Sequence, residues 1–119
     1  MAGSDNEGIK TVLHPVSDVN KAKAVYTALL GVEPSADAPY YVGYDLAGQH
    51  IGLVPNGAAQ GMTSPVAYWH VSDINAKLAE VTAAGGVVKE APHDVANGRL
   101  VASFTDPDGN VLGLLQDPQ

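Results

Sequence analysis

Val16-Ser17-Asp18-Val19-Asn20 returns about 55 residues later as Val71-Ser72-Asp73-Ile74-Asn75. At the same offset Ala24, Thr27, Ala28, Gly31 and Val32 match Ala79, Thr82, Ala83, Gly86 and Val87. Later in each half Gly48-Gln49-His50-Ile51-Gly52-Leu53 is echoed by Gly109-Asn110-Val111-Leu112-Gly113-Leu114. A duplication of this length describes two similar modules with quasi-twofold symmetry, neither able to bury its apolar face alone. A shared cavity is expected at the seam between modules or between chains.

The flanking residues give each half the same plan. Residues 9–16 are β-branched and apolar and read as a strand. Asp18 follows where a helix N-cap belongs, its carboxylate able to accept the first orphan N–H groups. Val19, Ala22, Tyr26, Leu29 and Leu30 recur at helical spacing, and Gly31 is a C-cap candidate. Residues 40–46 and 50–54 form a hairpin around Gly48-Gln49, and 55–65 is a linker. In the second half, 66–72 is a strand. Asp73 caps a helix with Ile74, Leu78 and Val81 inward, and Gly85-Gly86 stops it. A strand at 87–90, a loop at 91–98, and strands 99–105 and 111–116 around Asp106-Pro107-Asp108-Gly109-Asn110 complete the plan.

Composition sets the bounds. The chain has 119 residues and 45% hydrophobic content, which suits one globular domain with a real core. That domain is expected at 9–117, with module 1 at 9–55, module 2 at 66–117 and residues 1–8 as a loose tail. A net charge of −7 with only six scattered Lys and Arg argues against a nucleic-acid surface. The absence of cysteine excludes disulfides, thiolate catalysis and Cys-zinc sites. No apolar run is long enough to cross a membrane. The small, polar start lacks the basic and apolar segments of a signal peptide, so a cytoplasmic protein is expected.

Two βαβββ modules, a Val-x-Asp helix start and the closing Phe104-Thr105-Asp106-Pro107-Asp108-Gly109-Asn110 turn resemble the glyoxalase/bleomycin-resistance group, also called the vicinal oxygen chelate superfamily. The resemblance spans roughly 9–117. It implies an α+β fold with two βαβββ modules in tandem, their curved mixed sheets enclosing a cavity, usually in a homodimer. Enzyme members hold a divalent metal on inward-facing His, Gln or Glu. One ligand comes from the first strand of each module and one carboxylate from the last strand of each. Those positions fall at Thr11 and Val66, five residues before Val16 and Val71, and at Gly52 and Gly113. Apolar or neutral groups there cannot replace a metal's hydration shell. No metal, cofactor or catalytic residue is therefore expected, and the pattern is similar to the drug-binding branch of the group. A substitute His50/His70/Asp45 metal set is conceivable, but cavity histidines more often hydrogen-bond or stack than ligate. His14 reads as a helix-packed histidine and His93 as a loop histidine.

Replacing ligands by glycine, threonine and valine is expected to enlarge an apolar pocket that grips a flat ligand between aromatic rings. Strand alternation sorts its lining. Tyr68 and His70 share the cavity face with Val66, whereas Trp69 points to the helices. A two-residue turn at Gly48-Gln49 pairs Asp45 with Gly52 and puts Tyr41, Gly43 and Asp45 on the face of His50, Gly52 and Val54. A three-residue turn would substitute Tyr40 and Tyr44. The inferred lining is Thr11, Leu13, Tyr41, Asp45, His50, Gly52, Val54, Val66, Tyr68, His70, Val111, Gly113 and Leu115. Asn97 aligns loosely with a ligand-stacking position of bleomycin-binding relatives, although it is not aromatic.

With Asp45 as the one reliably ionised group, a neutral planar aromatic such as a quinone or polyketide antibiotic fits better than a strongly cationic one. The leading expectation is antibiotic resistance by sequestration in a homodimer. The alternatives are an enzyme of the same fold (a lyase, isomerase, dioxygenase or thiol transferase) and a subunit whose cavity is vestigial.

Overall fold

A computed structural model describes residues 6–55, 57 and 62–118. The elements run β1 (Asn6–Pro15), α1 (Val19–Leu30), β2 (Ala36–Ala38), β3 (Tyr41–Leu46), β4 (Gln49–Val54), β5 (Val66–Val71), α2 (Ile74–Ala83), β6 (Val87–Ala96), β7 (Arg99–Thr105) and β8 (Val111–Gln116). The duplication is thus structural: βαβββ followed by βαβββ, an α+β chain. Strand order is β2-β3-β4-β1 in the first module and β6-β7-β8-β5 in the second, the same order twice. In each, the first strand is parallel to the last and the other pairs are antiparallel. The compact units are Lys10–Val66 and, separately, Ala67–Gln119 with the residues up to Ile9.

In the first module α1 covers one sheet face. Val42, Tyr44 and Leu53 are buried there against Val19, Ala22, Tyr26 and Leu30. These four helix positions are spaced three, four and four apart, the stripe one helix face requires. Leu29, expected inward, lies beyond that stripe and is 74% exposed. The phenol of Tyr44 is fully buried yet satisfied, donating to the Lys23 carbonyl at 3.1 Å and sharing a hydrogen bond with Thr27 Oγ1 at 2.9 Å. Asp18 caps α1, its Oδ1 accepting from the backbone of Asn20 and Lys21 at 3.1 Å each. Gly31 closes the helix in the left-handed region at φ 74°.

The second module repeats the design. Ile74 and Leu78 of α2 are buried against Val71, Ala102, Phe104 and Leu114, with Trp69 and Val81 packed alongside. Asp73 accepts from Ala76 N at 3.0 Å. The Asp106-to-Asn110 motif is explained by its turn. Asp106 accepts from the backbone of Asp108 and Asn110 and from the Asn110 side-chain amide, each at 2.9 Å. Those hydrogen bonds, Asn110's first, hold its carboxyl below the usual carboxylate range.

Four boundaries differ from the sequence expectation. Residues 6–8, assigned to a loose tail, begin β1; residues 1–5 and part of the 55–65 linker lie outside the described residues. Residues 91–96, expected as a loop, continue β6 through three register shifts against β7. Bulges let a strand persist where its side chains no longer alternate. His93 is therefore a strand residue, its Nδ1 2.9 Å from the Ala91 carbonyl. The third difference is the short strand β2, where Pro34 and Pro39 flank an irregular stretch.

The fourth is the β3–β4 turn, made by Ala47 and Gly48 with φ of 55° and 78°. The expected Gly48-Gln49 turn is one residue off. Two positive φ values in a two-residue loop are those of a hairpin turn matched to strand twist. Leu46 then pairs with Gln49, Asp45 with His50 and Gly43 with Gly52, not Asp45 with Gly52. Both strand ends move by one, so the register changes by two and every side chain keeps its face.

Candidate functional site

The face of the first module away from α1 carries Leu13, Tyr41, Gly43, Asp45, His50, Gly52 and Val54, with buried Thr11 beside them. Cross-strand pairing seats Asp45 directly opposite His50, whose Nδ1 lies 2.9 Å from Asp45 Oδ1. The other ring nitrogen, Nε2, lies 2.5 Å from the Tyr41 hydroxyl. Asp45 Oδ2 accepts from Ser35 Oγ at 2.5 Å, and the Gly43 carbonyl accepts from the Ser35 backbone N–H at 2.8 Å. A carboxylate accepts only, so His50 carries its proton on Nδ1 and its Nε2 accepts from Tyr41 when the ring is neutral. The result is an ordered chain of four side chains: Tyr41 to His50 to Asp45, with Ser35 bracing the carboxylate. The Tyr41 and His50 rings are nearly parallel, 13° apart in plane with centroids 5.9 Å apart. Joined at their edges by the hydrogen bond, they lie side by side and present a flat aromatic surface.

Two glycines make this possible. A Cβ at Gly43 would stand 2.6 Å from His50 Cε1, and one at Gly52 would overlap the Tyr41 hydroxyl and lie 2.6 Å from Leu13 Cδ2. No side chain is tolerated under the Tyr41–His50 pair without moving it.

In the second module Val66, Tyr68, His70, Val111, Gly113 and Leu115 share the face away from α2, as alternation requires. Tyr68 pairs with Gly113 and its ring lies over that glycine, where any Cβ would overlap it. The ring is 8% exposed, and Val66 and Leu115 are buried as well. Burial, reinforced by the negative charge of Glu90, pushes the Tyr68 phenol above its ordinary value. Glu90 in turn accepts from Ser103 Oγ at 3.3 Å. His70 Nδ1 approaches Asp117 Oδ2 at 3.5 Å, and Asp117 Oδ1 binds Arg99 at 3.0 Å. Asn97 stands exposed at the β6–β7 turn beside Gly98, both at positive φ, and the turn accounts for it.

Gly52 and Gly113, expected to enlarge an apolar pocket, are each covered by a tyrosine ring. Tyr41 with Leu13, and Tyr68, occupy the space that each glycine leaves. A metal of the kind implied by the fold does not fit either. Thr11 and Val66 are buried, the two glycine positions are overlaid by tyrosines, and no group of three His, Cys, Asp or Glu able to hold an ion occurs among the described residues. His50 with Asp45, and His70 with Asp117, are each engaged within their own module. A cavity of about 300 Å³ lined by Val19, Asn20, Asp37, Ala38 and Pro39 contains none of the expected site residues.

The sequence points to Tyr41, Asp45 and His50 but not to their connection, and it gives no sign of Ser35, Glu90, Ser103, Arg99 and Asp117. The Asp45–His50 spacing of five around a two-residue turn was the available signal. His14 packs on the helix side as expected, its Nδ1 3.1 Å from Tyr26 Oη. Burial holds its imidazole below the ordinary value of 6.5, favouring the neutral ring. A lowered folded value stabilises above the unfolded one and is lost as pH falls through and below about 6.5. Denaturant titrations from pH 8 to 5 should show a smaller acid loss of stability in His14→Phe than in the parent; an identical pH profile would contradict this.

Comparison with known proteins agrees with this architecture. Residues 8–114 match the model of the glyoxalase/bleomycin resistance protein/dioxygenase superfamily. A probable lactoylglutathione lyase of Vibrio cholerae is 29% identical over 131 aligned positions, covering 98% of this chain and 94% of the relative. Methylmalonyl-CoA epimerase from Mycobacterium tuberculosis superposes with a TM-score of 0.71 at 17% identity, covering 100% of this chain and 93% of that one. The Mn(II)-bound glyoxalase from Novosphingobium aromaticivorans superposes at 0.72 with 21% identity, over 97% of this chain and 40% of that one. At those identities the structures speak for the fold alone. No helix among the described residues is long and apolar enough to cross a membrane. The duplicated βαβββ plan and a family match over nearly the whole length establish that the chain belongs to the glyoxalase/bleomycin resistance protein/dioxygenase superfamily.

Proposed function

We propose that this member of the superfamily binds a small planar aromatic molecule, an antibiotic or related natural product, without a metal, and protects by sequestering it. The observation that supports this reading is the flat Tyr41–His50 surface on the helix-free face of the first module, built over two glycines. Paired aromatic rings give a flat ligand area and geometry at low conformational cost, and Asp45 and His50 add polar contacts. A homodimer belongs to the same proposal.

Calorimetric titration of the purified chain against a panel of planar quinones and polyketides tests it. One member should bind, EDTA should leave the affinity unchanged, and the ligand should be recovered unmodified after long incubation. Tyr41→Ala should weaken binding by about tenfold or more, since stacking and lost burial together exceed about 1.4 kcal/mol. Ligand returned chemically altered would instead favour the second reading, an enzyme. The 29% identity to a probable lactoylglutathione lyase speaks for that reading. Glycine, threonine and valine at the metal positions speak against a lyase of the metal-dependent kind.

A further inference from the structure

The Tyr41–His50–Asp45 chain has an order that stacking alone does not need. Asp45 accepts from His50 Nδ1 at 2.9 Å and is itself held by Ser35, so the imidazole is fixed in one tautomer and orientation. Its Nε2 lone pair is directed at the Tyr41 hydroxyl 2.5 Å away. A phenol that donates its proton keeps acceptor capacity on its oxygen. Tyr41 and His50 are only partly buried, so a ligand can reach the pair. No such chain occurs at the equivalent positions of the second module. There, repeat pairing puts Val101 where Tyr41 stands, Thr105 where Asp45 stands and Val111 where His50 stands. At these three positions the first module carries titratable groups and the second does not.

We propose that the Tyr41–His50–Asp45 relay selects planar ligands carrying an acidic hydroxyl, a phenol or an enol of the hydroxyquinone type, and binds them as their anions by taking up the proton. The inference rests on the binding site proposed above and names the ligand chemistry that site prefers. In the step, the ligand O–H bond breaks and its proton goes to Tyr41 Oη. The proton of Tyr41 passes to His50 Nε2, forming a new N–H bond, while Nδ1–H remains donated to Asp45. The products are a ligand oxyanion hydrogen-bonded to Tyr41 and an imidazolium neutralised by the Asp45 carboxylate. No electron moves between partners and no further reactant is needed. The favourable term is the charge-assisted hydrogen bond to the oxyanion, stronger than its neutral counterpart.

The probes are 4-nitrophenol and 4-nitroanisole, which share the nitroaromatic ring while a methyl group in the second replaces the acidic proton. At a pH where free 4-nitrophenol is mostly neutral, adding the protein should produce the phenolate absorption band. ¹⁵N NMR should report His50 turning from neutral ring to imidazolium in the same titration. 4-Nitrophenol should bind about tenfold or more tighter than 4-nitroanisole, the worth of one charge-assisted hydrogen bond. That ratio should fall toward one in His50→Gln and in Tyr41→Phe. Comparable binding of both probes, with no phenolate band and a neutral His50, would overturn the relay and leave the aromatic site standing. Failure of both probes, and of every planar aromatic tried, would overturn the site itself and the relay with it. The absorption and NMR readings use the unaltered protein, so they decide even where a variant fails to fold.

Discussion

Tyr68→Ala is expected to destabilise the protein by about 3–5 kcal/mol, the range for removing a large buried aromatic ring. For 119 residues this corresponds to a fall of about 12–20 °C in the unfolding midpoint, at about 4 °C per kcal/mol. The ring is 8% exposed and lies over Gly113, so truncation leaves a void bounded by backbone. Gly113→Ala should also destabilise, by about 1–3 kcal/mol, because its new Cβ overlaps the tyrosine ring. The two changes share one volume. Combined, they should cost less than their sum, with the extra methyl occupying part of the space vacated by the ring. Calorimetry on the two single variants and the double variant measures this coupling. Strict additivity, or a Tyr68→Ala protein that melts like its parent, would show that the ring is not packed on Gly113.

Ile74→Ala should cost about 2–5 kcal/mol, the range for emptying a fully buried aliphatic site. Ile74 is 0% exposed, touches the core shared by Val71, Phe104 and Leu114, and opens α2. Its backbone N–H donates to Gln116 Oε1 at 2.8 Å, which fastens the helix start to the last strand. The substitution keeps that bond and removes only the side chain, so the loss is one of packing. Urea unfolding should show a lower midpoint with an unchanged slope. Leu29→Ala, made on the 74%-exposed side of α1, is the control and should stay within about 0.5 kcal/mol of the parent. Equal losses for the two variants would contradict the assignment of helix faces.

The helix caps and strand faces were legible because both are local. Asp18 and Asp73 cap by reaching two or three residues along the chain, and the duplicated Val-Ser-Asp marks both places. Alternation put Trp69 toward the helix and Tyr68 away from it without knowledge of any partner strand. Leu29 and Leu30 show the limit of such reading. They adjoin in sequence, and only the packed sheet decides which one lies on the buried stripe. Likewise the alternation that announces β6 ends at 90 because bulges erase it, while the strand itself runs on to Ala96.

The sequence by itself determined the duplicated βαβββ plan and the shared faces of His50 with Gly52 and of Tyr68 with His70; for Tyr41 and Asp45 it left two turn lengths open, and the two-residue Ala47-Gly48 turn decided between them. Repeat offset, N-cap spacing and the period of two all survive a slip of register by two residues. Only the tertiary structure decided which of those residues meet. An Ala47-Gly48 turn, with alanine accepting a positive φ, sets Asp45 opposite His50 and Gly43 opposite Gly52. That register converts three separate cavity candidates into one hydrogen-bonded chain. The tertiary structure also decided what the glycines are for. Gly52 and Gly113 read as missing ligands that enlarge a pocket, and each is the floor on which a tyrosine rests. A glycine's neighbours across a sheet are set by strand pairing, a non-local choice that no local pattern encodes.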